Sequence, residues 1–399
     1  MKIIYVIGSL EVGGAEQHLV RVARAIRARG YEPEVFVLSP GGPLTSALIE
    51  GGVPVHGMRL PDWLRRVLRH ERAVAWTGLA LSAAALWWLY WRRKADVTHF
   101  FLPSAYIVGG IAALLAPRML RVMSRRSLNH YQASHRLFTR IEYRLHPRMD
   151  LVCGNSRAVV RQLREEGVPS ARLRLIYNGI DTQQYRPQHS RREVRQELGI
   201  ADTALVFVTV ANLIPYKGHA DLIRALANIA DRLPQPWACL CVGRDDGIGS
   251  ALQAQADEAG IGSNLRFLGA RHDVPDLLAA ADIGLLCSHQ EGFSNAVIEG
   301  MACGLPMVVT DVGGNAEAVV HGHSGLVVPA QDPASLARAL LDLALDAAAR
   351  SSMGVAGRDR VQALFSMDAC IDRYNRLYSG TLEPESAEPK KPGETSESR

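Results

Sequence analysis

The chain has 399 residues, 48% hydrophobic and 21% charged, with six cysteines and a formal net charge of +5. Length and composition exclude a single small module and a wholly disordered chain, and they leave room for two domains with separate cores. The mild net charge hides an asymmetry: residues 1–180 carry 26 Lys+Arg against 12 Asp+Glu, a balance of +14 that leaves −9 for the remainder.

A basic first half predicts an anionic surface or substrate as its partner. Nucleic acid is not expected, because no zinc-finger, RRM or homeodomain pattern occurs and aromatics do not interleave with the basic residues. Phosphate on a lipid or a membrane fits better. Cys153, Cys239, Cys241, Cys287, Cys303 and Cys370 lie in apolar or small-residue surroundings without a C-x-x-C pair. They read as small buried side chains in a reducing compartment. No secretory signal peptide is read in MKIIYVIGSL, which runs into a glycine loop, so the expected location is cytoplasmic.

In chain order, KIIYVIG predicts a strand, SLEVGG a glycine loop, and AEQHLVRVARAIRARG a helix with Leu19, Val22 and Ile26 on one face. The strand EPEVFVLS completes a β-α-β unit, which implies a parallel sheet covered by helices. ADVTHFF, DLVCGNS with a helix after it, and LRLIYNGID continue the theme.

Residues 73–91, AVAWTGLALSAAALWWLYW, form 19 uncharged residues between RRVLRHER and RRK. A transmembrane helix is permitted by length. Spanning would, however, put the strands before residue 60 across the bilayer from those after 95. The expectation is therefore a helix lying in or dipping into one leaflet, anchored by Trp76, Trp87, Trp88 and Trp91, with a fully buried helix as the alternative.

The pattern restarts after YNGIDTQQYRPQHS, where Asn-Gly and Pro end regular structure. ALVFVTVANL, WACLCVG, LRFLGA, DIGLLCS and PMVVTDVGG read as strands, with helices over 219–230, near 250–259 and from about 295. In DPASLARALLDLAL, Asp332 caps and Pro333 takes the first helical position. The fold class is α/β: two Rossmann-like domains facing each other across a cleft, with ligands expected beyond the carboxyl ends of the strands. The expected domains are 1–180 and 181–360. The polar, Pro-rich tail 381–399 is left out of the fold.

The segment EGFSNAVIE, Glu291 to Glu299, places two carboxylates around the start of a helix. Free amides and the positive dipole end at Ser294 or Asn295 suit a phosphate, while the carboxylates suit sugar hydroxyls. Lys217, in IPYKGH between a strand and a helix, can meet a leaving diphosphate. Gly13 and Gly14 let the first loop approach a ligand closely. GSLEVGG lacks the G-x-G-x-x-G spacing, which weakens an oxidoreductase reading.

VGGAE, YNGID, ANLIPYKGH, the E-x7-E pair and VGGNAE, in that order from about residue 2 to 378, resemble the retaining glycosyltransferases of family four, which have the GT-B fold. The resemblance implies that Glu299 binds the ribose hydroxyls, that Glu291 contacts the donor sugar, and that Gly292, Phe293, Ser294 and Asn295 line the sugar and diphosphate. It also implies that SMDACIDRYNRLY, within 361–380, crosses back onto the first domain.

Where family members often carry Arg, this chain has Asn212, so other cations or helix ends must serve the phosphate. Many relatives place a His near the reacting sugar, and His130 is the nearest candidate, with His135 behind it. Arg125 and Arg126 read either as holders of an acceptor phosphate or as a solvated basic face.

No metal or other cofactor is expected, since RDDG at Arg244–Gly247 is not a D-x-D. The implied activity is transfer of a sugar from a nucleotide-sugar donor, a UDP-sugar, to a lipid-linked or cell-envelope saccharide acceptor. The implied place is the inner face of the cell membrane. A nucleotide-sugar epimerase of the same architecture and a non-catalytic sugar-nucleotide-binding protein are the alternatives.

Overall fold

The structure, a computed structural model, describes residues 1–68, 70–128 and 135–385. The first sheet contains β1 (Lys2–Ile7), β2 (Glu32–Val37), β3 (Val55–Gly57), β4 (Val97–Phe101), β5 (Leu120–Arg125), β6 (Leu151–Gly154) and β7 (Leu173–Leu175). Its order is β3-β2-β1-β4-β5-β6-β7. The second contains β8 (Leu205–Val210), β9 (Trp237–Val242), β10 (Leu265–Gly269), β11 (Ile283–Leu286), β12 (Met307–Thr310) and β13 (Gly325–Val328), in the order β10-β9-β8-β11-β12-β13.

Every strand pairing is parallel. Helices must therefore cover both faces, and each sheet sits between two apolar clusters. In both sheets the strand order reverses beside the first strand, at β1/β4 and at β8/β11. The crevice beyond the carboxyl ends of the strands opens at such a point.

The helix Glu71–Arg93 lies on the first sheet along one side only. Ser82, Leu86, Leu89 and Tyr90 are buried, and the Tyr90 hydroxyl hydrogen-bonds Thr98 on β4 at 2.8 Å. Trp76, Trp87, Trp88 and Trp91 are between 40% and 55% exposed, so the fully buried alternative is not what the fold presents. By length and composition alone the helix could cross a membrane. The sheet forbids it, because Ile3 of β1 pairs with Val97 of β4 just after the helix. A helix of 23 residues is about 35 Å long, and crossing would set a bilayer between hydrogen-bonded neighbours.

The helix Met367–Tyr378 returns to the first sheet, as the resemblance implies. Ser366 caps it, and Cys370, Ile371, Tyr374, Leu377 and Tyr378 are buried in the first core. Tyr374 hydrogen-bonds His18 at 3.1 Å, while Tyr378 hydrogen-bonds His99 at 2.8 Å and donates to the Tyr5 hydroxyl at 3.1 Å. The expected tail begins too early. Residues 381–385 are held: Leu382 packs against the first core, and Glu385 donates its amide to the Leu173 carbonyl and pairs with Arg157 at 3.0 Å. The missed strands β3 and β13 are only three and four residues long, and β5, LRVMSR, mixes its apolar residues with arginines.

Burial holds the His99 imidazole down to about 3, with the nearby charge of Arg126 adding to it, and holds His18 well below the usual value for the same first reason. Both are neutral in the fold, while in the unfolded chain they take up protons near the ordinary value of about 6.5. Their contribution to stability is complete above that value and is lost as pH falls from 6.5 toward 3. His99→Asn is expected to flatten the loss of stability between pH 6.5 and 4 in urea unfolding. Identical slopes in both proteins would contradict this account of the docked helix.

Candidate active site

β11 ends at Leu286, and the loop that follows leads into the helix Asn295–Ala302. Val297, Ile298 and Met301 bury one face of this helix in the second core. Ser294, extended and without a side-chain cap bond, leaves the first-turn amides unpartnered by a cap. The loop before the helix is gripped from two sides. A Cβ on Gly292 would lie 2.5 Å from the Arg126 carbonyl oxygen, in the first half of the chain. On the other side Gly313, at φ +55°, presses on the Glu291 carbonyl, and Gly314 donates its amide to the Gly292 carbonyl at 2.8 Å.

Lys217 closes the 3-10 turn Pro215–Lys217 and is followed by Gly218 at φ +74°. Only glycine fits there, because a Cβ would collide with the Cys287 carbonyl. This contact seats the turn against the end of β11. Lys217 Nζ lies 2.6 Å from Glu291 Oε1, and the Ser288 hydroxyl donates to the same oxygen at 2.7 Å. The two side chains are 18% and 11% exposed, so screening by water is partial. Glu299 stands apart from this pair. Burial raises its carboxyl pKa, against the pull of the Tyr185 hydroxyl and of Arg21 on the first helix, Gly14–Ala28.

Asn212 Oδ1 accepts the Arg244 amide at 3.2 Å, so it ties one loop to the next and brings no charge. Asp245 accepts the amides of Gly247, Ile248 and Gly249, which hold its carboxyl below the usual range, and Asp246 pairs with Arg244 at 2.6 Å. Among the described residues no group of three or more His, Cys, Asp and Glu is placed to hold a metal. Gly13 precedes the first helix in extended conformation with the Glu16 carboxylate against it, while space beside Gly14 is open. His130 lies outside the described residues.

Three residues that bind the halves together were not singled out as such by the pattern. Asn178, in YNGID, donates to the Phe293 carbonyl at 3.2 Å and to Asn295 Oδ1 at 2.7 Å, and it accepts from Arg126. Glu317, in VGGNAE, accepts the amides of Arg157 and Ala158 at 2.8 and 3.2 Å, where the helix Arg157–Glu165 begins. Both motifs were visible, but their cross-chain partners were not.

Arg126 is the third. Neither Arg125 nor Arg126 is a solvated basic face. Arg125 is buried between Glu142 at 3.5 Å and Glu166 at 2.6 Å. Arg126 has only neutral partners among the described residues, Asn178 and the Tyr374 hydroxyl, and burial lowers its pKa. Among the described residues Arg126 therefore meets the seam beside Gly292 through neutral hydrogen-bond partners.

Residues 190–360 match the family described as glycosyl transferases group 1, and residues 12–184 match the one described as Glycosyltransferase Family 4. N-acetyl-alpha-D-glucosaminyl L-malate synthase of Bacillus anthracis is 28% identical over 58% of this chain and 60% of its own. The chain thus spans less than two thirds of that relative. D-inositol 3-phosphate glycosyltransferase of Thermobispora bispora is 27% identical over 94% of this chain and 92% of its own.

Among solved structures, Anabaena HepE in complex with UDP superposes with a TM-score of 0.81 at 25% identity, covering 95% of this chain and all of that one. The same protein has been solved with UDP-glucose, with a TM-score of 0.79. The fold is therefore GT-B, two Rossmann-like domains, and residues 12–184 and 190–360 belong to the two glycosyltransferase families that these matches describe.

Gly292→Ala is expected to force the loop away from Arg126 and to weaken UDP binding at least tenfold in calorimetry. Unchanged affinity would contradict the close-packed loop.

Proposed function

We propose that the protein moves a sugar from a UDP-sugar to a lipid-linked or cell-envelope saccharide at the inner face of the cell membrane, with retention at the anomeric carbon. The observation that carries the transfer reading is the Lys217–Glu291 pair at the open start of Asn295–Ala302, in a chain that resembles a protein solved with UDP and UDP-glucose. Breaking the bond between C1 and the diphosphate leaves the electron pair on the phosphate oxygen. The Lys217 ammonium and the first-turn amides meet that charge without needing a metal. A diphosphate drawing Lys217 toward itself frees Glu291 to accept hydrogen bonds from sugar hydroxyls, while Glu299 receives those of the ribose. Gly13 and Gly14 give the donor close approach from the first domain.

The membrane part of the proposal is supported by the +14 balance of residues 1–180 and by the four exposed tryptophans of the helix Glu71–Arg93. A second reading, a small soluble anionic acceptor, is favoured by the names of relatives, which include inositol 3-phosphate and malate, and by Arg126, whose partners among the described residues are neutral. A transfer screen over lipid-linked glycans and small phosphorylated acceptors decides between them, and the product anomer read by NMR tests retention.

Lys217→Ala is expected to slow transfer by a hundredfold or more, and Glu299→Ala to weaken UDP binding about tenfold, about 1.4 kcal/mol. Near-normal behaviour of both variants would contradict the donor site. Chelation with EDTA is expected to leave the rate unchanged, and loss of activity restored by a divalent ion would refute metal-free transfer. Replacing Trp87, Trp88 and Trp91 with serine should release the protein from phosphatidylglycerol vesicles in sedimentation; unaltered pelleting would count against the membrane contact.

A further inference from the structure

The chain leaves the first sheet after β7 and returns to that domain before the helix Met367–Tyr378. The two passages lie side by side. Ile180 pairs with Ser366: its amide donates to the Phe365 carbonyl at 3.0 Å, and its carbonyl accepts the Met367 amide at 2.8 Å.

On either side of Ile180 the outgoing passage runs along the helix Asn295–Ala302, whose start carries the candidate donor site. Asn178 donates to Asn295 Oδ1 at 2.7 Å, before the pairing with Ser366. Beyond it, the Tyr185 hydroxyl donates to the Glu299 carboxylate, and Cys303 Sγ donates to the Tyr185 carbonyl at 3.4 Å. Residues 295, 299 and 303 share one side of a helix. The linker therefore covers that side from end to end, with the Tyr185 side chain packed against the second core.

A carboxylate held at one oxygen by a fixed donor presents its remaining acceptor positions in a fixed direction. The groups that act on Glu299 come from three elements: Tyr185 from the linker, Arg21 from Gly14–Ala28, and Cys303 at the end of its own helix, whose thiol in turn feels Arg358 and Asp276. Burial raises the Glu299 carboxyl pKa, and the Tyr185 hydroxyl and Arg21 oppose that rise. Burial and the Glu299 charge push the Tyr185 phenol up, so it keeps its proton and remains the donor. Without that donor Glu299 becomes a neutral acid over more of the pH range, and a neutral carboxyl accepts fewer hydroxyls.

We infer that Tyr185 is a positioning residue for donor binding, which holds Glu299 in the orientation that receives the two ribose hydroxyls. The inference rests on the ribose role proposed above for Glu299 and adds to it a residue from outside EGFSNAVIE. Because Tyr185 lies shortly past the pairing of Ile180 with Ser366, the ribose contact is set from the connection between the domains as well as from the helix.

The test uses the full chain and two probes, UDP and 2′,3′-dideoxy-UDP, which keeps the base and the diphosphate but lacks both ribose hydroxyls. Binding is followed by calorimetry from about pH 5 to about pH 8. The ratio of the two affinities reports the hydroxyl contacts and cancels the titration of the phosphates. The unaltered protein is expected to favour UDP about tenfold, and Glu299→Ala to lose that preference. Tyr185→Phe keeps the packed ring. It is expected to cut the preference to about twofold and to leave the affinity for 2′,3′-dideoxy-UDP unchanged. The preference is complete above the Glu299 pKa and fades as pH falls through it, and in Tyr185→Phe the fading is expected to begin at a higher pH.

A full preference in Tyr185→Phe, fading at the same pH, would overturn the inference and leave the ribose role of Glu299 standing. Equal weakening of both probes by Tyr185→Phe would also overturn it, since that is a loss of structure rather than of position. Equal binding of the two probes by the unaltered protein would remove the ribose role itself, and the inference with it.

Discussion

Backbone contacts that admit no side chain hold the site together. Gly292 lies on the Arg126 backbone, Gly313 presses on Glu291, and Gly218 packs onto Cys287. These contacts bring the start of Asn295–Ala302, the Lys217 turn and the end of β5 into one corner. A methyl group at any of them displaces a backbone segment rather than a flexible side chain, so the arrangement is set by geometry that only glycine satisfies. The polar bonds then act on a fixed frame. Asn178 ties the first half to the Phe293 carbonyl, and Glu317 caps a helix across the seam.

Within that frame the charges divide by role. Lys217 and Glu291 neutralise each other at 2.6 Å. Arg125 lies between two glutamates and serves the fold. Arg126 has neutral partners among the described residues. In the proposed reaction a diphosphate on the second domain would meet Lys217, while the excess of basic residues before position 180 lies on the first domain.

Much of this was legible in the sequence, for a physical reason. EGFSNAVIE, IPYKGH and VGGNAE are local patterns, in which turn chemistry and helix starts are written within a few residues, and the two parallel sheets follow from strands alternating with helices. Contacts across the seam were not legible. Asn178 lies 117 positions from Asn295, and Arg126 lies 52 from Asn178, so no spacing rule connects them. Arg125 and Arg126 read as acceptor-phosphate holders or a solvated basic face because a burying partner such as Glu166 or Tyr374 is distant in the chain. The Asn-Gly of YNGID reads as the end of regular structure, which follows β7 here, and the Asn178 side chain's second task leaves no local mark.

The central claim is that a nucleoside diphosphate rests on the open amides at the start of Asn295–Ala302, opposite Lys217. Amide hydrogen exchange with and without UDP tests it most directly. The account predicts protection concentrated at residues 292–298 and 217–220. Protection confined to other segments at a UDP concentration that saturates binding would contradict it.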